Sequence, residues 1–89
     1  MVKKYRVRFK PEAIDDMENL DRIIAQRVLN KIRWLQDNFE NVIPETLEGE
    51  FKECFKLRVG DWRVVYTVDR NEKIITIHLV GHRSKIYRT

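Results

Sequence analysis

Residues 51–80 carry three strand-like runs separated by two turn signals, and three strands in so short a span leave few folds open. Phe51 to Val59 alternates, with Phe55, Leu57 and Val59 on one face and Lys56 and Arg58 on the other. Gly60-Asp61 is a two-residue hairpin turn with glycine first, as a type II′ turn prefers. Trp62 to Val68 is apolar on both faces, which marks a central strand. Asp69-Arg70-Asn71-Glu72 is a second turn. Ile74 to Val80 then places Ile75, Ile77 and Leu79 on one side and Thr76 and His78 on the other, and Gly81 ends it.

The first half of the chain supplies what packs on those strands. Residues 4–9 alternate charged and apolar, so they form a half-buried strand with Tyr5, Val7 and Phe9 inward. Pro11 suits a first helical position, where its missing N–H costs nothing. Ala13, Ile14, Met17 and Leu20 follow at helical spacing, giving a short helix over 11–19. Asp21 caps a second helix. Its stripe is Ala25, Val28, Leu29, Ile32, Leu35 and Phe39, with Trp34 at the edge of the core. Residues 40–50 hold Pro44, Gly49 and four glutamates, and read as a loop. The order β-α-α-β-β-β predicts an α+β domain: a mostly antiparallel four-stranded sheet with a helical hairpin on one face.

Eighty-nine residues make one domain, near the lower limit for a single core. The net charge of +4 favours an anionic partner. The one cysteine, Cys54, cannot form an internal disulfide. No apolar run approaches the ~20 residues of a membrane span, and no signal-like segment follows Met1, so a cytoplasmic protein is expected.

The chemistry-bearing residues gather at one end of this sheet. Lys56 and Arg58 lie opposite the apolar face, and Arg63 sits across the tight hairpin. The last strand delivers His82, Arg83 and, four residues later, Tyr87. The group contains no carboxylate cluster, no metal-ligand set and no cofactor motif. It suits RNA cleavage by the substrate's own 2′-OH. Arg63 and Arg83 suit charge stabilisation, since guanidinium forks match phosphate oxygens and stay protonated. Tyr87, Lys56 and His82 are the candidates for proton transfer. Each also has a plainer role: solvated strand cations for Lys56 and Arg58, a buried ion pair for Arg63, a docking ring for Tyr87.

Cys54-Phe55-Lys56-Leu57-Arg58, Trp62-Arg63-Val64-Val65-Tyr66, Val80-Gly81-His82-Arg83 and Tyr87, in that order and spacing, resemble the RelE family of bacterial and archaeal toxins. The likeness includes the opening strand, the helical hairpin and the Leu47-x-Gly49 loop, so it implies a single RelE-like domain over residues 1–89. It implies the toxin half of a type II toxin–antitoxin module. Such a toxin enters the ribosomal A site and cleaves mRNA there as a metal-independent endoribonuclease, which stops translation. A cognate RelB-like antitoxin is implied as partner, with operator DNA reached only through that antitoxin. Carried over by residue, the resemblance implies RNA phosphate contact by Lys56 and Arg58. It also implies transition-state stabilisation by Arg63 and Arg83, and proton transfer by Tyr87. Arg58 stands where the best-studied members carry a second lysine, and an arginine cannot act as a base. The stretch from Arg83 to Tyr87 is two residues shorter than in those members, which leaves His82 a share of the proton work. The alternative is a ParE-like toxin, which inhibits DNA gyrase by binding; such chains usually lack the terminal tyrosine.

Overall fold

The computed structural model describes residues 4–47 and 54–86. The elements are β1 (Arg6–Phe9), α1 (Pro11–Glu18), α2 (Arg22–Asn38), a 3-10 turn (Phe39–Asn41), β2 (Glu45–Thr46), β3 (Phe55–Val59), β4 (Trp62–Asp69), β5 (Ile74–His82) and α3 (Arg83–Ile86). The strands form one sheet in the order β1-β5-β4-β3-β2. β1 runs parallel to β5, and every other pairing is antiparallel. The α+β order and the central position of the Trp62 strand agree with the sequence. The sheet gains a fifth strand because Glu45 and Thr46, expected in a loop, pair with Lys56 and Phe55. The expected strand residues 51–53 and the Gly49 loop lie outside the described residues, and β3 itself begins at Phe55.

One face of the sheet meets the helices. Leu57, Val59, Val64, Tyr66, Ile75, Ile77 and Val80 pack against Ala13 of α1 and Val28, Ile32 and Leu35 of α2. Tyr5 joins them, its ring tilted on that of Phe39 at 4.8 Å. Val7 and Phe9 are half-buried against this core. The helical stripes predicted from spacing supply most of its helix side, but Ala25 and Leu29 are half-buried outside the core, and Ile24, absent from the predicted stripe, packs against it. Ile14 is exposed, and Trp34 lies outside the core rather than at its edge, 44% exposed with the Lys31 ammonium 4.0 Å from its ring. Residues three apart on a helix are neighbours, and a cation over an indole face is favourable in water.

Alternation fails once, in β5. Leu79 does not join the core; Val80 does. The register explains the difference: Val65 pairs with Leu79 but Tyr66 pairs with Ile77, leaving His78 as an extra residue. Such a β-bulge sets two residues against one and shifts the phase of everything beyond it. His78 and Leu79 therefore both leave the helix-side core, and Lys10 and Glu12, at the start of α1, reach round the β5 edge to line the same hollow.

The turns form as their residues demand. Gly60 has φ +60°, while Asp61 is not in the left-handed region, as a type II′ turn requires. In the β4–β5 turn, the Asp69 carboxylate accepts from the backbone N–H of Asn71 and Glu72, both at 3.0 Å. β1 stops opposite Ile77, which leaves the end of β5 without a strand neighbour on that side. There α1 takes over. The Lys10 N–H donates to the Ile77 carbonyl at 2.9 Å, and the Asp16 carboxylate accepts from the Val80 N–H at 2.9 Å. Covering an edge in this way satisfies its backbone and blocks pairing with other chains.

Asp21 caps α2, its carboxylate accepting from the Ile23 N–H at 2.9 Å. Asp21→Ala is expected to cost about 1 kcal/mol, lowering the melting temperature by about 4–8 °C in a domain of this size. Thermal unfolding followed by circular dichroism checks this.

Candidate nucleic-acid interface

The face away from the helices carries Lys56, Arg58 and Arg63. Lys56 and Arg58 are alternate residues of β3, and Arg58 directly opposes Arg63 of β4. Like charges directly opposite on a sheet are destabilising. The pair survives here because each cation is partly satisfied. Arg63 is buried, 7% exposed, and its Nη1 donates to the Gly60 and Trp62 carbonyls, each at 2.8 Å. Arg58 Nη2 lies 3.2 Å from the Glu45 carboxylate, with Lys56 Nζ at 4.0 Å from the same oxygen. Glu45 is the site residue that sequence reasoning missed. One of four glutamates in residues 40–50, it carries no local signal, and only the sheet brings its partners to it.

Arg83 opens α3 and reaches this end of the sheet through the hairpin tip. Its N–H donates to the Asp61 carbonyl at 2.8 Å, and its Nε lies 3.8 Å from the Asp61 carboxylate. α3 then turns over the same face. Gly81 pairs with Arg63, and a Cβ built on Gly81 would lie 3.2 Å from Ile86 Cδ1. The missing side chain is what lets Ile86 settle beside Arg63. Tyr87 is the next residue and lies outside the described ones.

His82 is placed apart from the cations. It pairs with Trp62, which packs against the helix-side core, so alternation points its ring away from Arg63. The ring meets the Trp62 indole edge-on at 5.5 Å. Its Nδ1 lies 2.9 Å from the Ser84 hydroxyl and accepts from the Ser84 N–H at 3.2 Å. His82 thus steadies the start of α3. The sheet puts Lys56, Arg58 and Arg63 on one face, with Arg83 held at the hairpin tip by Asp61, and leaves His82 behind them.

Two titrations bear on the site. Burial pushes the Tyr66 phenol up to about 12, with Arg70 lowering and Glu45 raising it to lesser extents. Tyr66 therefore stays a phenol at neutral pH and is no base. Burial also holds His78 below the ordinary histidine value, helped by Lys10 and opposed by Glu12. The unfolded chain then takes up a proton near pH 6.5 that the folded chain refuses. Stability from this group is present above that pH and is lost as pH falls below it. Urea midpoints at pH 7 and pH 5 are expected to differ, and His78→Gln to narrow the difference.

Residues 7–87 match the family model for the ParE toxin of the type II toxin–antitoxin system parDE. An Escherichia coli protein with a RelE-like toxin assignment is 32% identical over 84 residues, covering 92% of this chain and 86% of that one. The toxin–antitoxin complex RelBE2 of Mycobacterium tuberculosis contains a chain that superposes with TM-score 0.80 at 28% identity, covering 91% of this chain and all of the other. A chain of the archaeal RelE–RelB complex of Pyrococcus horikoshii shares the fold at TM-score 0.69 and 24% identity, covering 93% and 99%. The chain belongs to the RelE/ParE superfamily of toxins from type II toxin–antitoxin systems. No helix among the described residues is long and apolar enough to cross a membrane.

Proposed function

We propose that this toxin is a ribosome-dependent mRNA endoribonuclease that cuts message in the A site. The observation that supports this best is the directly opposed Arg58–Arg63 pair with Lys56 on the same face and Arg83 at its end. A cluster of like charge costs stability, and local rules are typically broken where function requires it. A bridging phosphodiester relieves the repulsion.

In the proposed reaction the 2′-oxygen attacks the adjacent phosphorus while the bond to the 5′-oxygen breaks. The products are a 2′,3′-cyclic phosphate and a 5′-hydroxyl. The 2′-OH proton passes to a base and the leaving 5′-oxygen takes one from an acid. Arg63 and Arg83 hold the phosphorane charge, and Lys56 and Arg58 hold the flanking phosphates. Tyr87 carries proton transfer. Glu45 must yield its cations to the RNA, and its exposed pair with Arg58, worth about 0–1 kcal/mol, yields readily. The partner is a RelB-like antitoxin with an acidic or amphipathic segment that lies over Lys56, Arg58 and Arg63 or displaces the 83–87 tail.

The ParE-family match supports a second reading, inhibition of DNA gyrase by binding alone. Cell-free translation with mapping of mRNA ends separates the two. Cuts within codons, on translated message only, are expected. Intact message together with blocked supercoiling would transfer the function to gyrase.

A further inference from the structure

We propose that the cavity formed by the β5 bulge is a nucleobase subsite, and that His78 and Leu79 set which nucleotide is cut. This rests on the endoribonuclease reading. The cavity, about 290 Å3, is lined by Lys10, Glu12, Cys54, Val65, His78 and Leu79. That is at the small end of ligand pockets, in the size class of one planar base rather than a whole nucleotide.

Its position relative to the cations carries the proposal. Val65 directly opposes Lys56 on one side and Leu79 on the other. Arg63 lies two residues earlier on β4, on the same face, and two residues of strand rise span roughly 7 Å. A phosphate held by Arg63 and Lys56 thus has a mostly apolar hollow about one nucleotide away. The hollow exists because of the bulge: in a regular strand only one of His78 and Leu79 would face it. Leu79 offers an aliphatic surface for a base face, over Val65 as floor.

His78 supplies the polar edge. Its Nε2 lies 2.8 Å from the Thr67 hydroxyl, while its Nδ1 makes no hydrogen bond to a described residue. The hydroxyl rotates, so it fixes the ring without fixing the tautomer, and Nδ1 serves as donor or acceptor. The ring is held neutral by burial and by Lys10, which keeps both options at pH 7. Glu12 across the cavity accepts from an exocyclic amine. The chemistry therefore favours a base with an amine and an adjacent ring nitrogen over uracil.

Two measurements test this. Methyl and imidazole NMR of the whole toxin, titrated with the four nucleoside monophosphates and with inorganic phosphate, reads the cavity without cleavage. Val65, Leu79 and His78 signals are expected to move with the monophosphates and not with phosphate, most for amine-bearing bases. Equal shifts with phosphate alone would overturn the subsite. Next, mRNA ends are mapped after translation with His78→Val and with Leu79→Asn. The ratio of cuts at favoured and disfavoured nucleotides is expected to fall about 10-fold or more. An unchanged ratio in folded variants would overturn the specificity role. If the wild-type toxin cuts no message, the nuclease reading fails, while the NMR result still decides whether the cavity binds a base.

Discussion

Tyr87→Phe is expected to lower mRNA cleavage by roughly 10²–10⁴, the range that general acid–base catalysis contributes. The substitution keeps the ring and removes only the hydroxyl. The chain leads to the site: Arg83 is tied to the Asp61 carbonyl, and Ile86 packs on Gly81 beside Arg63. Tyr87 follows directly. If the ring served only to dock the tail, losing its hydroxyl would cost at most about 1 kcal/mol of hydrogen bonding. Single-turnover cleavage on programmed ribosomes, with Tyr87→Phe and His82→Ala side by side, is the measurement. His82 faces Trp62 and Ser84, so its loss is expected to cost far less than the tyrosine hydroxyl. A large loss confined to the histidine variant would move proton transfer to His82. Near-wild-type rates in both would leave Lys56.

The contrast between these two residues shows what a sequence displays and what it hides. Period-two alternation put Lys56 and Arg58 on one face and Leu57 and Val59 on the other, and the structure agrees. Gly60-Asp61 fixed a two-residue turn, and that turn fixes Arg58 opposite Arg63. Both follow from local rules. His82 and Arg83 are adjacent in the chain and looked like one group. His82 ends β5 and Arg83 opens α3, so the chain turns between them, and only the register with Trp62 shows which face His82 takes. The β5 bulge was hidden for a similar reason. Ile-Ile-Thr-Ile-His-Leu-Val reads as continuous alternation until pairing with β4 inserts the extra residue at His78. Glu45 was invisible because its partners, Lys56 and Arg58, are brought to it by the sheet. Local periodicity survives translation into structure; long-range register does not.

Arg63→Ala is expected to cost about 10²–10³ in cleavage rate, the usual loss for a donor aimed at charge developing in the transition state. The same substitution removes the bonds to the Gly60 and Trp62 carbonyls. Hydrogen bonds from a charged group are worth about 1.5–3 kcal/mol, within the 5–15 kcal/mol of a typical domain. The carbonyls lie at a hairpin turn, where water can replace the guanidinium, so the variant is expected to fold and to bind its antitoxin. Arg63→Lys separates the two roles. It keeps the charge and loses the planar fork, so it should restore part of the rate without restoring both turn bonds. Cleavage, melting temperature and antitoxin affinity are to be measured on the same preparations. A variant that melts early, yet whose folded fraction cuts message at the wild-type rate, would make Arg63 a brace for the hairpin. The phosphorane charge would then fall to Arg83 and Lys56.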